Sequence, residues 1–405
     1  MGKKKILFDF FVNILATCIP IFAIQIIILP LINKQTNLIY YGNIITCTSL
    51  ISTISTPFGI ALNNTRLLKN SQYDKNETTG DFNLILIFSS IVNSIFILVT
   101  SFLLVKNISL VDVLFIILIS ILTIFKDYMY VEYRINLNYK SILINNLFMS
   151  VGYFVGYLLF LITKVWCLIY FIGYAFSAFH IIKTTKLYKE PIRKTNLYKM
   201  TRKMFIVLLL ATFFSNSINY IDKLILNPLL GEAFVAIYFA STIFGKIISQ
   251  IISPINNVIL SYINGKDTIS KKNILKIFGA LFVVGLVGYI IGVLISNITL
   301  NILYPNIKEQ ALRYVPIATV SVIVSMIYNV LNTFVLKYKK EVWQIYVSLI
   351  NLILYFILTL IFYYGFGFFG FYVGVLLSNI FRLILIIAIF LLNHSNKKEV
   401  VKNEV

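Results

Sequence analysis

The 405-residue chain is 59% hydrophobic and only 12% charged, with a mean hydropathy of +0.89. A soluble chain of this length would form two or three domains with about 25% charged residues, so a soluble enzyme or binding protein is excluded. The net charge of +20 does not mark a nucleic-acid binder, because the basic residues cluster in short stretches between apolar runs, as membrane topology requires.

A spanning helix needs about 20 mostly apolar residues, and the chain offers twelve such runs. Met1-Gly2 and three lysines precede the first one, like the start of a signal peptide. The run is too long for a cleaved segment and lacks a small-residue cleavage site, so 8–32 is predicted to be the first membrane helix. Runs at 39–62, 82–105 and 110–130 follow, the last ending at Lys126-Asp127. A tight pair at 142–162 and 165–182, split by Thr163-Lys164, completes a first group of six. Lys183 to Lys203 is the longest hydrophilic stretch, with eight basic residues against Glu190 alone. Beyond it lie 204–230, 233–260, 275–298, 311–335, 343–363 and 367–392. Turns are marked by Asn227-Pro228 before Gly231, by Tyr304-Pro305-Asn306 and by Gly365-Phe366-Gly367.

The predicted fold class is all-α: a polytopic membrane protein of about twelve transmembrane helices in two pseudo-symmetric six-helix bundles. The N-terminal bundle covers 1–182, a basic cytoplasmic linker 183–203, and the C-terminal bundle with a short tail 204–405. Alternate loops carry 27 and 5 basic residues, counting 63–81 and 126–140 as loops of the richer set. That asymmetry predicts a multi-pass protein of the cell membrane with both termini cytoplasmic. The halves echo each other. Ile14 to Thr17 resembles Leu209 to Thr212, Leu29 to Ile32 resembles Asn227 to Leu230, Tyr41 matches Tyr238, and Pro57 matches Pro254. A six-helix repeat keeps its orientation, so its axis would lie along the membrane normal, with a binding site between the halves.

Ionisable groups at membrane depth are costly and usually face a cavity or a partner. Lys246 and Arg382 lie near the middle of predicted helices, and Asp222 and Lys223 toward the outer end of another. Asp112 and Glu232 stand near the outer boundary, and Asp9 near the inner one. A mainly cationic set suits an anionic substrate such as a pyrophosphate, with Arg as a bidentate fork and Lys as a point charge. Lys223 is close enough to the interface to snorkel outward. Adjacent helical residues diverge by about 100°, so its neighbour Asp222 is not an automatic partner. Lys246, Arg382, Lys223, Asp222 and Asn219 are the candidate substrate-binding residues. Other in-helix asparagines, namely Asn93, Asn145, Asn146, Asn216, Asn256, Asn257 and Asn329, are expected to bond between helices. Pro20, Pro57, Pro254 and Pro316 are expected to kink theirs. Cys18, Cys47, Cys167, His180 and His394 form no metal-ligand spacing, so no metal is expected. No phosphate-binding Gly-rich loop ends in Gly-Lys-Ser/Thr, so no nucleotide cofactor is expected and coupling to an ion gradient remains open.

The stretch Tyr220 to Ile263 resembles the seventh and eighth helices of Wzx-type polysaccharide repeat-unit flippases, of the multidrug/oligosaccharidyl-lipid/polysaccharide exporter (MOP) superfamily. Asp222, Glu232, Tyr238, Ala240 and Pro254 occupy the places of that pattern: an Asp before an apolar run, an acidic turn, a Tyr followed by a small residue, and a later Pro. The resemblance implies a V-shaped, MATE-like pair of bundles around a central cavity. It implies a flippase, not an enzyme, whose substrate is an undecaprenyl-pyrophosphate-linked oligosaccharide for polysaccharide biosynthesis. The implied partners are the bilayer, a polysaccharide polymerase and glycosyltransferases, with no nucleic acid. An ion-coupled drug or small-molecule exporter of the same superfamily would need acidic groups in its first and seventh helices, where Asp9 and Asp222 stand. A membrane glycosyltransferase or repeat-unit polymerase would need a long external loop or an acidic catalytic motif, and the chain has neither.

Overall fold

The computed structural model describes residues 3–105, 108–263, 271–338 and 342–392. Side chains are not described for 3–10, 250–263, 271–275, 333, 335–338, 342–345 and 390–392. The expectations for the side chains of Asp9, Pro254, Asn256 and Asn257, and for His394 and the cytoplasmic tail, therefore lie outside the described residues.

The protein is all-helical, with no strand among the described residues. The elements are α1 (Lys3–Ile21), a π-helical stretch (Phe22–Ile28), α2 (Leu29–Gln35), α3 (Leu38–Lys75), α4 (Asp81–Leu104), α5 (Leu110–Ile135), α6 (Tyr139–Thr163) and α7 (Cys167–Thr184). They continue with α8 (Tyr198–Ser217), α9 (Ile221–Leu230), α10 (Glu232–Ile263), α11 (Lys271–Leu303), α12 (Lys308–Leu312), α13 (Val315–Tyr338) and α14 (Val342–Leu392). Each of the twelve predicted runs is helical over most of its length. Nine helices among the described residues are long and apolar enough to cross a membrane, ten when the bent pair α8–α9 counts as one span. One of the nine, α14, holds two of the predicted spans. The chain is a multi-pass membrane protein.

Local chemistry sets the helix ends. Asn37 caps α3 by accepting from the Tyr40 N–H at 2.8 Å, and Ser109 caps α5 by accepting from the Asp112 N–H at 3.0 Å. In the first span, the backbone widens into the π stretch just after Pro20, whose missing N–H removes one rung of the α-helical ladder. The predicted break between 363 and 367 is present: Gly367, at φ 60° and ψ −140°, a conformation that only glycine adopts readily, separates two helical segments of α14. The two segments pack against each other, since a Cβ on Gly374 would stand 2.6 Å from the Thr359 Cα and Ser378 Oγ donates to Asn351 Oδ1.

Helices α3 and α5 outrun their predicted C-terminal ends into polar sequence. Helix α3 continues to Lys75, 38 residues in all, or about 57 Å at 1.5 Å per residue. That exceeds a hydrocarbon core of about 30 Å. Helix α5 continues to Ile135, so Lys126 and Arg134 lie in a helix and not in a 126–140 loop. In α5 the polar residues stay helical because protein, rather than lipid, covers them, whereas Ser71, Gln72, Asp74 and Lys75 at the end of α3 are exposed. Tyr73, Tyr128, Met129 and Val131 share a buried cluster with Ala61, Leu62, Phe82, Ile85, Ile181 and Phe205.

The chain forms two compact units, Met1–Ala236 and Ile237–Val405. In the first, α3 packs on α5 and α8, α1 on α6, and α6 on α7. The α6–α7 contact is close because both helices present glycine: a Cβ on Gly152 would stand 2.8 Å from the Gly173 Cα. In the second unit α13 packs on α11 and α14. Ile327, Tyr328, Leu331, Phe334, Val347, Ile386 and Ile389 form its core cluster.

Candidate functional site

In the first unit, the predicted residues sit at a break in the seventh span. The sequence predicts one helix over 204–230, but α8 stops at Ser217 and α9 starts at Ile221 with a bend of 57°. The turn is held by the Asn219 N–H on the Asn216 carbonyl and the Tyr220 N–H on the Ser217 carbonyl, both 3.0 Å. Asn216 Nδ2 donates to the Ser52 carbonyl of α3 at 2.7 Å. Asn219 is exposed at this bend. Asp222 and Lys223 begin α9 and are each only 3% exposed.

These two neighbours do pair. Lys223 Nζ lies 3.2 Å from Asp222 Oδ1, and the same oxygen accepts the Lys223 backbone N–H at 2.9 Å. The free N–H groups of a first helical turn draw the carboxylate back along the helix, where the long lysine stem can fold onto it. Lys223 therefore does not snorkel; its ammonium lies 5.4 Å from the Tyr220 ring centre. Asn227 Nδ2 donates to the Leu104 carbonyl at 2.8 Å and ties α9 to α4.

In the second unit, Arg382 on α14 is 7% exposed, and its guanidinium carbon lies 3.5 Å from the centre of the Tyr328 ring on α13. Stacking on a ring face is a favourable seat for guanidinium. It leaves the in-plane N–H groups unused, and Nε has no hydrogen-bond partner among the described residues. One turn before it, Asn379 Nδ2 donates to Ser321 Oγ at 2.9 Å and Ser378 Oγ to Asn351 Oδ1 at 3.2 Å. One turn after it comes Ile386 of the apolar cluster. Lys246 on α10 is half-buried, with Nζ 5.4 Å from the Tyr238 ring centre. Tyr238 packs on Tyr372, whose hydroxyl meets Ser241 Oγ at 2.7 Å. The two mid-depth cations thus share a unit, and each is seated on a tyrosine.

A third charged group escaped the sequence reading because it was assigned to a loop. Lys126 and Asp127 form an ion pair at 3.0 Å with each side chain 14% exposed, and Lys126 lies 5.4 and 5.5 Å from the Tyr130 and Tyr174 rings. The Tyr130 hydroxyl approaches Asn145 Oδ1 at 2.6 Å and Asn146 Oδ1 at 2.7 Å. Asn145 Nδ2 donates to the Ser177 carbonyl, and Asn146 Nδ2 to the Ala16 carbonyl. These are the interhelical asparagine bonds that the sequence predicts. Apolar side chains recurring past Lys126 at helical spacing, up to Ile135, were the available signal that α5 goes on.

The hydrophilic stretch after α7 is docked. Glu190 takes a bidentate contact from Arg66 at 2.9 and 2.7 Å, and the Arg66 guanidinium also lies 4.6 Å from the Phe82 ring centre. Asp81 accepts from the Tyr73 hydroxyl at 2.6 Å and from the Thr195 N–H at 2.7 Å. Glu132 accepts the N–H groups of Lys186 and Leu187 at 2.8 and 3.0 Å. Among the described residues no group of three or more His, Cys, Asp or Glu side chains can hold a metal ion.

The fold defines a class of membrane protein that solved structures share. The chain is similar to "Lipid II flippase MurJ, inward closed conformation", with a TM-score of 0.70, 15% identity, and coverage of 94% of this chain and 85% of that one. It is similar to an inward-facing multidrug resistance MATE family transporter of the MOP superfamily, with a TM-score of 0.64, 12% identity and 93% of both chains covered. It is likewise similar to the eukaryotic MATE transporter AtDTX14, with a TM-score of 0.64, 12% identity and 94% of both chains covered. No family profile and no curated protein matches the sequence. The protein therefore has the MATE- and MurJ-type all-α fold over nearly its whole length.

Proposed function

We propose that this protein is a non-enzymatic flippase that moves an undecaprenyl-pyrophosphate-linked oligosaccharide repeat unit across the cell membrane by alternating access, for polysaccharide biosynthesis. The observation that carries the proposal is Arg382: a buried cation at membrane depth, seated on a ring face, with an N–H left for an anion. A buried unsatisfied donor costs about 1–3 kcal/mol, and a phosphate oxygen is the natural acceptor for guanidinium. Lys246 adds a second cation in the same unit. The fold, shared with a flippase over 94% of the chain, supports transport rather than catalysis. Both termini lie in the cytoplasm in this proposal, from the basic asymmetry of 27 to 5. In this proposal glycosyltransferases stand before it in the pathway and a polymerase after it, and an ion gradient is one available driving force.

The MATE neighbours support a second reading, an exporter of drugs or other small molecules. Arg382 and Lys246 would repel the cationic cargo of such an exporter. A membrane glycosyltransferase or polymerase has no structural observation in its favour. Proteoliposomes separate the readings. The flippase reading predicts that a labelled undecaprenyl-pyrophosphate oligosaccharide becomes accessible to an impermeant glycosidase at a rate that depends on the protein, with no efflux of a fluorescent organic cation. Cation efflux without oligosaccharide flipping would overturn it.

A further inference from the structure

The stretch from Lys183 to Lys203 is built in a way that a topology signal alone does not require. Its eight basic residues, Lys183, Lys186, Lys189, Arg193, Lys194, Lys199, Arg202 and Lys203, are all exposed. Its only acid, Glu190, is turned inward onto Arg66, whose side chain is 5% exposed. The carboxylates that approach the stretch from outside it, Asp81 and Glu132, are taken up by the Tyr73 hydroxyl and by the backbone N–H groups of Thr195, Lys186 and Leu187. Asn83 Nδ2 holds the carbonyls of Leu187 and Glu190 at 3.1 and 2.9 Å. The backbone is thus fixed by these groups, and Glu190, Asp81 and Glu132 are engaged in holding it rather than in pairing with the exposed cations.

Apolar side chains are exposed in and next to the same stretch. Ile182 and Met200 are 46% and 40% exposed, and Ile192, between Lys189 and Arg193, is 60% exposed. Lys183 lies 4.2 Å from the Phe179 ring centre at the end of α7. An exposed face that alternates cations with isolated apolar groups, at the junction of two membrane helices, fits the headgroup layer of an anionic leaflet.

We propose that the Lys183–Lys203 stretch is a preformed binding surface for anionic phospholipid headgroups. The proposal rests on the cytoplasmic placement of this stretch only for which leaflet it meets; it is independent of what the protein transports. Its partner is the phospholipid surface itself and not an acidic protein, because the exposed cations and apolar groups lie in the short segment that joins the ends of the apolar helices α7 and α8, where the headgroup layer must be.

The test is lipid selectivity in bilayers of phosphatidylcholine. Spin-labelled phosphatidylglycerol and spin-labelled phosphatidylcholine are compared for their association with the full-length protein at low and high salt. The expected result is a preference of about fivefold for phosphatidylglycerol at low salt, the equivalent of about 1 kcal/mol for one basic side chain at an anionic surface. High salt should reduce it. The combined variant Lys186→Gln, Lys189→Gln, Lys194→Gln, Lys199→Gln should bring the preference close to one, because these side chains are exposed and make no hydrogen bond that fixes the fold. The variant Lys34→Gln, Lys164→Gln, at the opposite helix ends, should keep it. No preference in the native protein overturns the proposal. So does a preference that survives the fourfold variant, or one lost equally in the Lys34/Lys164 variant. An acidic soluble peptide that competes at low salt while phosphatidylglycerol shows no preference would assign the surface to a protein partner and overturn it as well.

Discussion

The two units treat buried positive charge in opposite ways. In the unit Met1–Ala236, each buried cation that enters an ion pair meets a carboxylate: Arg66 with Glu190, Lys126 with Asp127, Lys223 with Asp222. In the unit Ile237–Val405, Arg382 is as buried as these but rests on Tyr328, with no ion pair among the described residues. A paired charge is neutral as a whole and its removal mainly disturbs structure. A charge on a ring face keeps its field and its donors for something else. On the proposed function, the first set does structural work and Arg382 meets the ligand.

The largest effect is expected where that structural work is broken. Asp222→Ala leaves Lys223 charged at 3% exposure, and removing one member of a buried pair costs about 3–5 kcal/mol. The double variant Asp222→Asn, Lys223→Met should recover most of that loss in thermal unfolding. A double variant as unstable as the single one would show that the pair does more than neutralise itself.

Arg382 should behave differently. Arg382→Ala is expected to leave unfolding temperature nearly unchanged and to slow flipping of the lipid-linked oligosaccharide about tenfold to hundredfold, since a hydrogen bond to a charged group contributes about 1.5–3 kcal/mol. Arg382→Lys should restore part of the rate, because charge survives while the bidentate fork is lost. Normal flipping in Arg382→Ala would remove the distinction between the units.

The smallest effect concerns the docked stretch. Glu190→Gln keeps one acceptor for Arg66 but loses its charge, and about 1 kcal/mol of local stability should go with it. Limited proteolysis between Lys186 and Arg193 should quicken in this variant while flipping continues. Unchanged proteolysis would mean that Asp81, Glu132 and Asn83 hold the stretch without Glu190.

The sequence made the helices legible because lipid imposes a length and an apolar composition on every crossing segment. It was silent where protein replaced lipid as the surrounding medium. Lys126, Asp127 and Arg134 read as the start of a loop because a hydropathy pattern cannot see Asn63, Tyr130 and Tyr174, which cover them. The α8–α9 break was hidden for the same reason: Ile218 to Tyr220 is as helix-permissive as its surroundings, and the bend depends on contacts with α3. The mid-depth cations were visible, since any charge in an apolar run stands out, but their partners were not. Asp222 and Lys223 illustrate this most directly, because the geometry of a continuous helix argues against a contact that a helix start permits.

The measurement that bears most directly on the central claim compares two substrates in the same proteoliposomes. One is the undecaprenyl-pyrophosphate-linked oligosaccharide, and the other is an analogue with a neutral linker between lipid and sugar. If buried cations of the second unit recognise the pyrophosphate, the native protein flips the first about tenfold faster or more, one charge-assisted hydrogen bond being sufficient for that ratio, and Arg382→Ala erases the difference. Equal rates for the two substrates in the native protein, or a difference that Arg382→Ala leaves intact, would contradict it.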